Sequence, residues 1–291
     1  MALDVLTGLT YVSISVVLWS LTPLLISMDS DSYSSFTANG LRALLAGLLL
    51  LPLSLGELLA NPVKYLAAGT VIGLTGIVVG DSLYLLAIRR LRPSLAVVIC
   101  YSYVATTLVF KQILLPGSRS LLAWIPVLIA VAGVYTAMYG RGMLLTVNRS
   151  GLIAALLANL FWAIWSILAW IYVGRLNLDV LALASSRLLV SGVLLLAYSI
   201  RRYGLTEVLV KAPMKLKYTM LTGLTGYLVG GTLYFESLKY IDVSQATIAT
   251  AAVPVLSQAF SLKTGGRKVS RNELAGGVLV ALSIALSVLY K

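Results

Sequence analysis

The chain has 291 residues, 59% of them hydrophobic and 11% charged, against roughly 25% charged in an ordinary soluble domain. That much apolar surface cannot be hidden in one water-facing core, and it equally excludes intrinsic disorder. The formal charge is +12, with no histidine and one cysteine, Cys100. This excludes histidine catalysis and relays, histidine-ligated metals, a thiolate metal cluster and internal disulfides. In a membrane protein such a basic excess belongs to loops, not to a nucleic-acid partner.

A bilayer-spanning helix needs about 20 mostly apolar residues, and ten segments qualify. Their length and lack of strict alternation exclude barrel strands. The first, 6–26, lacks a basic flank and a cleavage site and is expected to be retained. It sets Tyr11, Ser15, Trp19 and Thr22 on one face. The second, 34–55, opens with Asn39 and Arg42. The third, 66–88, contains GLTGIVVGDSLY (73–84), in which Ile77, Asp81 and Tyr84 share a helical face. The fourth, 94–114, holds Tyr101 and Tyr103 at depth, one of them expected to face a central path; the fifth is 121–139. The sixth, 151–172, aligns Asn159, Trp162 and Ser166, and the seventh, 180–200, opens with Ser185, Ser186 and Arg187. The eighth, 218–237, contains GLTGYLVGGTLY (223–234) with Tyr234 and ends at Glu236, near Lys239. The ninth, 244–261, lines up Thr247, Thr250, Pro254 and Ser257 with Gln258 beside them; the tenth is 274–290. The gaps are short, and no soluble domain is expected between spans.

An ionisable group inside the hydrocarbon is costly and is a functional candidate by default. Asp81 is the clearest: it can bind an ammonium or carry a proton, with a structural carboxylate as the alternative. Glu236 reads as an interfacial partner of Lys239. Arg42 and Arg187 could hold a substrate carboxylate, but each begins a span after polar residues, so snorkelling or pinning of the helix start is the expected reading. The polar stripe of the ninth span is a cavity wall hinged at Pro254, or a set of interhelical hydrogen bonds.

The two glycine-rich runs match at eight of twelve positions at a constant offset of 150. RALLAGLLLL (42–51) matches RLLVSGVLLL (187–196) at six of ten, and Gly8 and Trp19 align with Gly151 and Trp162. The expected organisation is an all-α integral membrane protein of ten transmembrane helices, with 1–145 as one five-helix repeat and 146–291 as the second. An odd number of spans per repeat forces opposite orientations, the architecture of many secondary transporters.

The duplication, the paired Arg42 and Arg187, the glycine-rich third span of each half and Pro254 resemble the drug/metabolite transporter superfamily, specifically its EamA type. The resemblance covers the whole chain. Departures are Val104, which stands where the second half has Pro254, and the missing Gly-Glu before the last span of each half. The resemblance implies export or exchange of small metabolites. It also implies a central cavity between spans 1, 3, 4, 6, 8 and 9, with Trp19, Asp81, Tyr84, Tyr101, Asn159, Trp162, Tyr234, Thr250, Pro254 and Gln258 at or near it.

The functional expectation is therefore an alternating-access carrier in the cell membrane, without cofactor or metal, its partners being a small solute and the lipid bilayer and its unit a monomer. An uncoupled channel or facilitator is the alternative. A membrane enzyme lacks the convergent catalytic groups it would need, and the absence of a P-loop excludes ATP-driven pumping by this chain. With no Lys or Arg expected at mid-membrane, a phosphate substrate is disfavoured and neutral, zwitterionic or apolar solutes, amino-acid- or nucleobase-like, fit best. Loops on one side carry 14 Lys and Arg and those on the other, with the termini, carry 6, which places both termini outside; the resemblance implies cytoplasmic termini.

Overall fold

The computed structural model describes residues 2–29, 33–114, 122, 124–139, 148–206, 208–209, 216–263 and 270–289. Among these there is no strand, and ten long helices account for the architecture. They are α1 (Ala2–Ser27), α2 (Ser35–Ala60), α3 (Pro62–Arg90), α4 (Pro93–Leu114), α5 (Trp124–Tyr139), α6 (Arg149–Arg175), α7 (Val180–Tyr203), α8 (217–237), α9 (243–263) and α10 (Arg271–Leu289). α1, α2, α3, α4, α6 and α7 are each long and apolar enough to cross a bilayer. The expected turns at 115–120, 140–147, 210–215 and 264–269 lie outside the described residues.

Local chemistry sets the helix starts. Asn148 and Asp179 accept from the backbone N–H of Gly151 and Ala182 at 3.1 and 2.8 Å. Asp242 and Gln245 form a reciprocal capping box on α9. Pro62 and Pro93 occupy first-turn positions, where the missing N–H costs nothing. Leu53, Leu128, Ile153 and Val193 point outward, more than half exposed, as hydrocarbon solvent requires.

The halves pack as exchanged copies. α1 lies on α8 and α9, and its mate α6 lies on α3 and α4; α2 packs on α7 and α5 on α10. Each half also departs from the regular α-helix at the same two places. Gly73–Asp81 and Gly223–Gly231 are nine-residue π-helices. These wider turns bond i to i+5 and are frequent at functional sites. α4 breaks at Ser102 and α9 at Ala251. The break in α9 falls in the turn before Pro254, whose missing N–H would have bonded the Thr250 carbonyl, and α4 breaks in the corresponding turn with Val104 in the proline's position. Hydroxyl back-bonding marks both breaks, Ser102 Oγ to the Ile99 carbonyl at 2.7 Å and Thr250 Oγ1 to the Thr247 carbonyl at 2.6 Å.

Candidate functional site

A cavity lined largely by aromatic side chains opens between the halves, the kind of lining small-molecule sites have. α1 contributes Trp19 and Thr22, α3 contributes Gly76, Asp81 and Tyr84, and α4 contributes both Tyr101 and Tyr103. α6 adds Trp162 and Trp165, and α8 adds Gly226, Tyr227 and Gly231. The remaining lining residues are Arg42 of α2 and Arg187 of α7.

Asp81, half-buried, is the one acid among the lining residues. Its Oδ1 accepts from the Trp162 indole N–H at 2.8 Å and its Oδ2 lies 2.5 Å from the Tyr227 hydroxyl. Tyr227 also lies 2.6 Å from Asn39 Oδ1. The Asn39 amide is oriented by donation to the Ile77 carbonyl at 2.7 Å and to Ser82 Oγ at 2.9 Å. The hydroxyl therefore faces two acceptor oxygens with one hydrogen. A proton on Asp81, donated to Tyr227, completes the chain Asp81–Tyr227–Asn39.

The aromatic wall is mutually braced. Trp162 meets Tyr84, Tyr101 and Tyr103 with ring centroids 4.8, 5.3 and 5.7 Å apart, mostly edge to face. Trp19 and Trp165 each lie 5.2 Å from Tyr234. The indoles approach the π-helices closely because glycine stands opposite them. A Cβ on Gly80 would come within 2.7 Å of Trp162, and one on Gly230 within 2.9 Å of Trp19.

The two arginines are placed otherwise than expected. Arg42 and Arg187 are only 4% and 3% exposed and reach into the cavity instead of snorkelling outward. The reason is that α2 and α7 pack on each other with the residues around Arg42 and Arg187 buried, so these two side chains face inward. Arg42 lies over the Tyr227 ring at 4.0 Å and Arg187 over Phe235 at 4.4 Å. Neither guanidinium closes a salt bridge to Asp81 among the described residues.

Trp19, Asp81, Tyr84, Tyr101 and Trp162 thus stand on the cavity wall, while other expected residues stand elsewhere. Asn159 bonds Thr106, Ser102 and the Ile99 carbonyl, holding α6 against the break in α4. Thr250 bonds the Tyr103 hydroxyl at 2.9 Å, behind the wall. Gln258 donates to the Glu273 carbonyl, and neither it nor Pro254 lines the cavity. Tyr234 supports Trp19 and Trp165 from behind. In the polar stripe of α9, Thr250 and Gln258 bond to α4 and α10 while Thr247 bonds its own helix, and α2 and α7 take its expected place on the wall. Glu236 pairs with Lys239 at 2.8 Å near the end of α8. Sequence reasoning missed Trp165 and Tyr227; Thr22 and Ile77 stand at their repeat positions, so no pairwise signal marked them.

A two-repeat helical membrane fold with a polar, aromatic cavity between the repeats defines the class of membrane transporters. The profile of the EamA-like transporter family matches the chain twice, over residues 6–139 and 149–289, and the chain belongs to that family. It is 29% identical to an uncharacterized inner membrane transporter, YedA, of Escherichia coli K12, over 91% of this chain and 85% of that one. An uncharacterized transporter of Archaeoglobus fulgidus is 24% identical over 99% and 98% of the two chains. A solved crystal structure superposes with a TM-score of 0.72 at 18% identity, covering 99% of this chain and 97% of the other. The protein is a multi-pass membrane protein of a transporter family.

Proposed function

We propose that the chain is a secondary carrier that moves a small metabolite by alternating access, as an exporter or exchanger, with all ten helices crossing the bilayer. Its units are the inverted halves 1–145 and 146–291, a division supported by the double profile match. The observation that carries the reading is the position of the cavity. It lies on the pseudo-symmetric seam and takes equivalent residues from both halves, Trp19 with Trp162 and Arg42 with Arg187. Inverted copies about one site give two mirror-related states, one open to each side.

Asp81 is the candidate for proton coupling. The groups facing it are Trp162 from α6 and Tyr227 from α8, with Arg42, stacked on Tyr227, and Arg187 also on the cavity wall. A protonated Asp81 suits the hydrogen-bond chain seen here; an ionised one would leave a full charge for a guanidinium or a substrate ammonium. The ground for neutral or apolar solutes was the absence of basic groups at the centre, and Arg42 and Arg187 remove it. Zwitterionic, amino-acid-like solutes remain. Reconstitution tests the carrier reading: counterflow of radiolabelled amino acids into proteoliposomes should be saturable and should accelerate with the same solute inside. Unaccelerated, non-saturating flux would make the protein a channel, and no flux with any amino acid or nucleobase would remove the reading.

A further inference from the structure

We propose that Arg42 and Arg187 together form a carboxylate-binding subsite, so that the solute recognised in the cavity is an organic acid with an aromatic or other flat apolar body, whether or not it also bears an ammonium. The inference rests on the carrier reading for its physiological meaning, but the site is tested by binding alone.

Three observations converge. First, both guanidiniums are buried and incompletely satisfied. Arg42 Nε and Nη1 and Arg187 Nε have no hydrogen-bond partner among the described residues. Each rests on an aromatic face, Tyr227 or Phe235, which attracts the cation but offers no in-plane acceptor. Buried donors of this kind are normally paired, and a carboxylate is the group whose geometry matches the guanidinium fork.

Second, the charge balance of the cavity is positive. Asp81 is the one acid on the wall, and both of its oxygens already have neutral partners, Trp162 and Tyr227. It does not close on either arginine. Two cations against one carboxylate leave a place for one further negative charge, and a proton on Asp81 only enlarges the excess. A site built merely to stabilise the fold would have brought Asp81 and one arginine together, because an unpaired buried charge is expensive.

Third, the rest of the wall is aromatic. Tyr84, Tyr101, Trp162 and Trp165 surround the space beside the arginines, and such rings select flat or apolar bodies. Small inorganic anions would leave this surface uncovered.

The test uses the full chain purified in detergent, with tryptophan fluorescence as readout because Trp19, Trp162 and Trp165 line the cavity. Phenylacetate is titrated beside its neutral isostere phenylacetamide. Phenylacetate should quench saturably, and the amide should bind at least about tenfold more weakly, since it leaves the guanidiniums without their anion. Arg42→Gln and Arg187→Gln should each weaken phenylacetate at least about tenfold, with the lysine variants at both positions recovering part of the loss as charge without the fork. Equal binding of acid and amide, or no saturable binding of the acid, overturns the proposal without any variant. So do glutamine variants that elute as monodisperse species and bind the acid as well as the parent. Counterflow of phenylacetate in proteoliposomes separates the two readings. Selective binding without flux keeps the subsite and removes the carrier, whereas amino-acid flux with no acid-over-amide selectivity keeps the carrier and removes the subsite.

Discussion

Trp19 and Trp162 occupy equivalent positions in the two halves, yet their indole N–H groups have different partners. Trp19 donates to the Gly226 backbone carbonyl at 2.9 Å, inside the π-helix of α8, while Trp162 donates to the Asp81 carboxylate at 2.8 Å. The backbone is thus repeated and the side-chain chemistry is not. Gly231 stands where the first half has Asp81, and Tyr227 stands where it has Ile77. The acid comes from one half and the hydroxyl that touches it from the other, so the polar centre exists only when the halves meet. The comparison teaches that duplication supplies the path and divergence supplies the chemistry.

The largest effect should come from removing the acid. Asp81→Asn keeps the acceptor for Trp162 and offers an amide to Tyr227, so the fold should survive. Uptake driven by a pH gradient should fall at least about a hundredfold, the scale of losing a proton-transferring group, while solute exchange without a gradient persists. Loss of both would make Asp81 an ammonium site, and unchanged gradient-driven uptake would take it out of the mechanism.

Next come substitutions that strike both halves alike. A Cβ on Gly73 would lie 2.9 Å from the Arg187 carbonyl, and one on Gly223 would lie 2.8 Å from the Arg42 carbonyl. Backbone cannot swing aside as a side-chain tip can. Gly73→Ala and Gly223→Ala should each cost about 1–3 kcal/mol of stability, the range for overpacking. Matched shifts in thermal melting would support the symmetry, and a large inequality would break it.

A smaller change should make the halves more alike. A Cβ on Gly231 would come 2.6 Å from Arg187 Nη2, the movable end of a long side chain. Gly231→Asp should therefore fold, pair with Arg187, and weaken phenylacetate binding about fivefold by partial neutralisation of that cation. Unaltered affinity would show that Arg42 alone sets the charge of the site.

The smallest effect is expected at the end of α4. Lys111 pairs with Asp242 at 2.7 Å and reaches Ser244 Oγ at 2.8 Å. Partial burial by itself pushes the Asp242 carboxyl up, but hydrogen bonds from Lys111 and the Ser244 amide, with the Lys111 charge, outweigh it and hold it below the ordinary range. Its stabilisation is present above about pH 4, the unfolded value, and is lost as pH falls through the lower folded value. Lys111→Met should cost less than about 1 kcal/mol for so solvated a pair, and its melting temperature should converge with the parent's in acid.

The repeat and the spans were legible because twelve-residue windows and apolar runs carry them without tertiary context. Trp19, Asp81 and Trp162 were legible because a polar or aromatic group deep in a span has few other uses. Arg42 and Arg187 were misread for a physical reason: eight residues into a helix, an arginine reaches either the interface or the interior, and only the packing of α2 on α7 decides which. The π-helices shift phase by a residue, which a fixed 100° rotation cannot anticipate, and Tyr227 was overlooked on one of them. Asn159, Thr250 and Gln258 show the opposite limit: a polar residue in a span needs a partner, but the sequence does not say whether that partner is solute or helix.

The π-helices also say something about ancestry. A helix that gains one residue can keep both ends anchored by widening a turn, so the addition is absorbed locally. Here Gly73–Asp81 and Gly223–Gly231 are widened over the same nine positions of the repeat. Two unrelated insertions would have had to land at the same positions of the repeat. One insertion in a single five-helix unit, copied when that unit doubled, accounts for both. The widened segment is then older than the duplication.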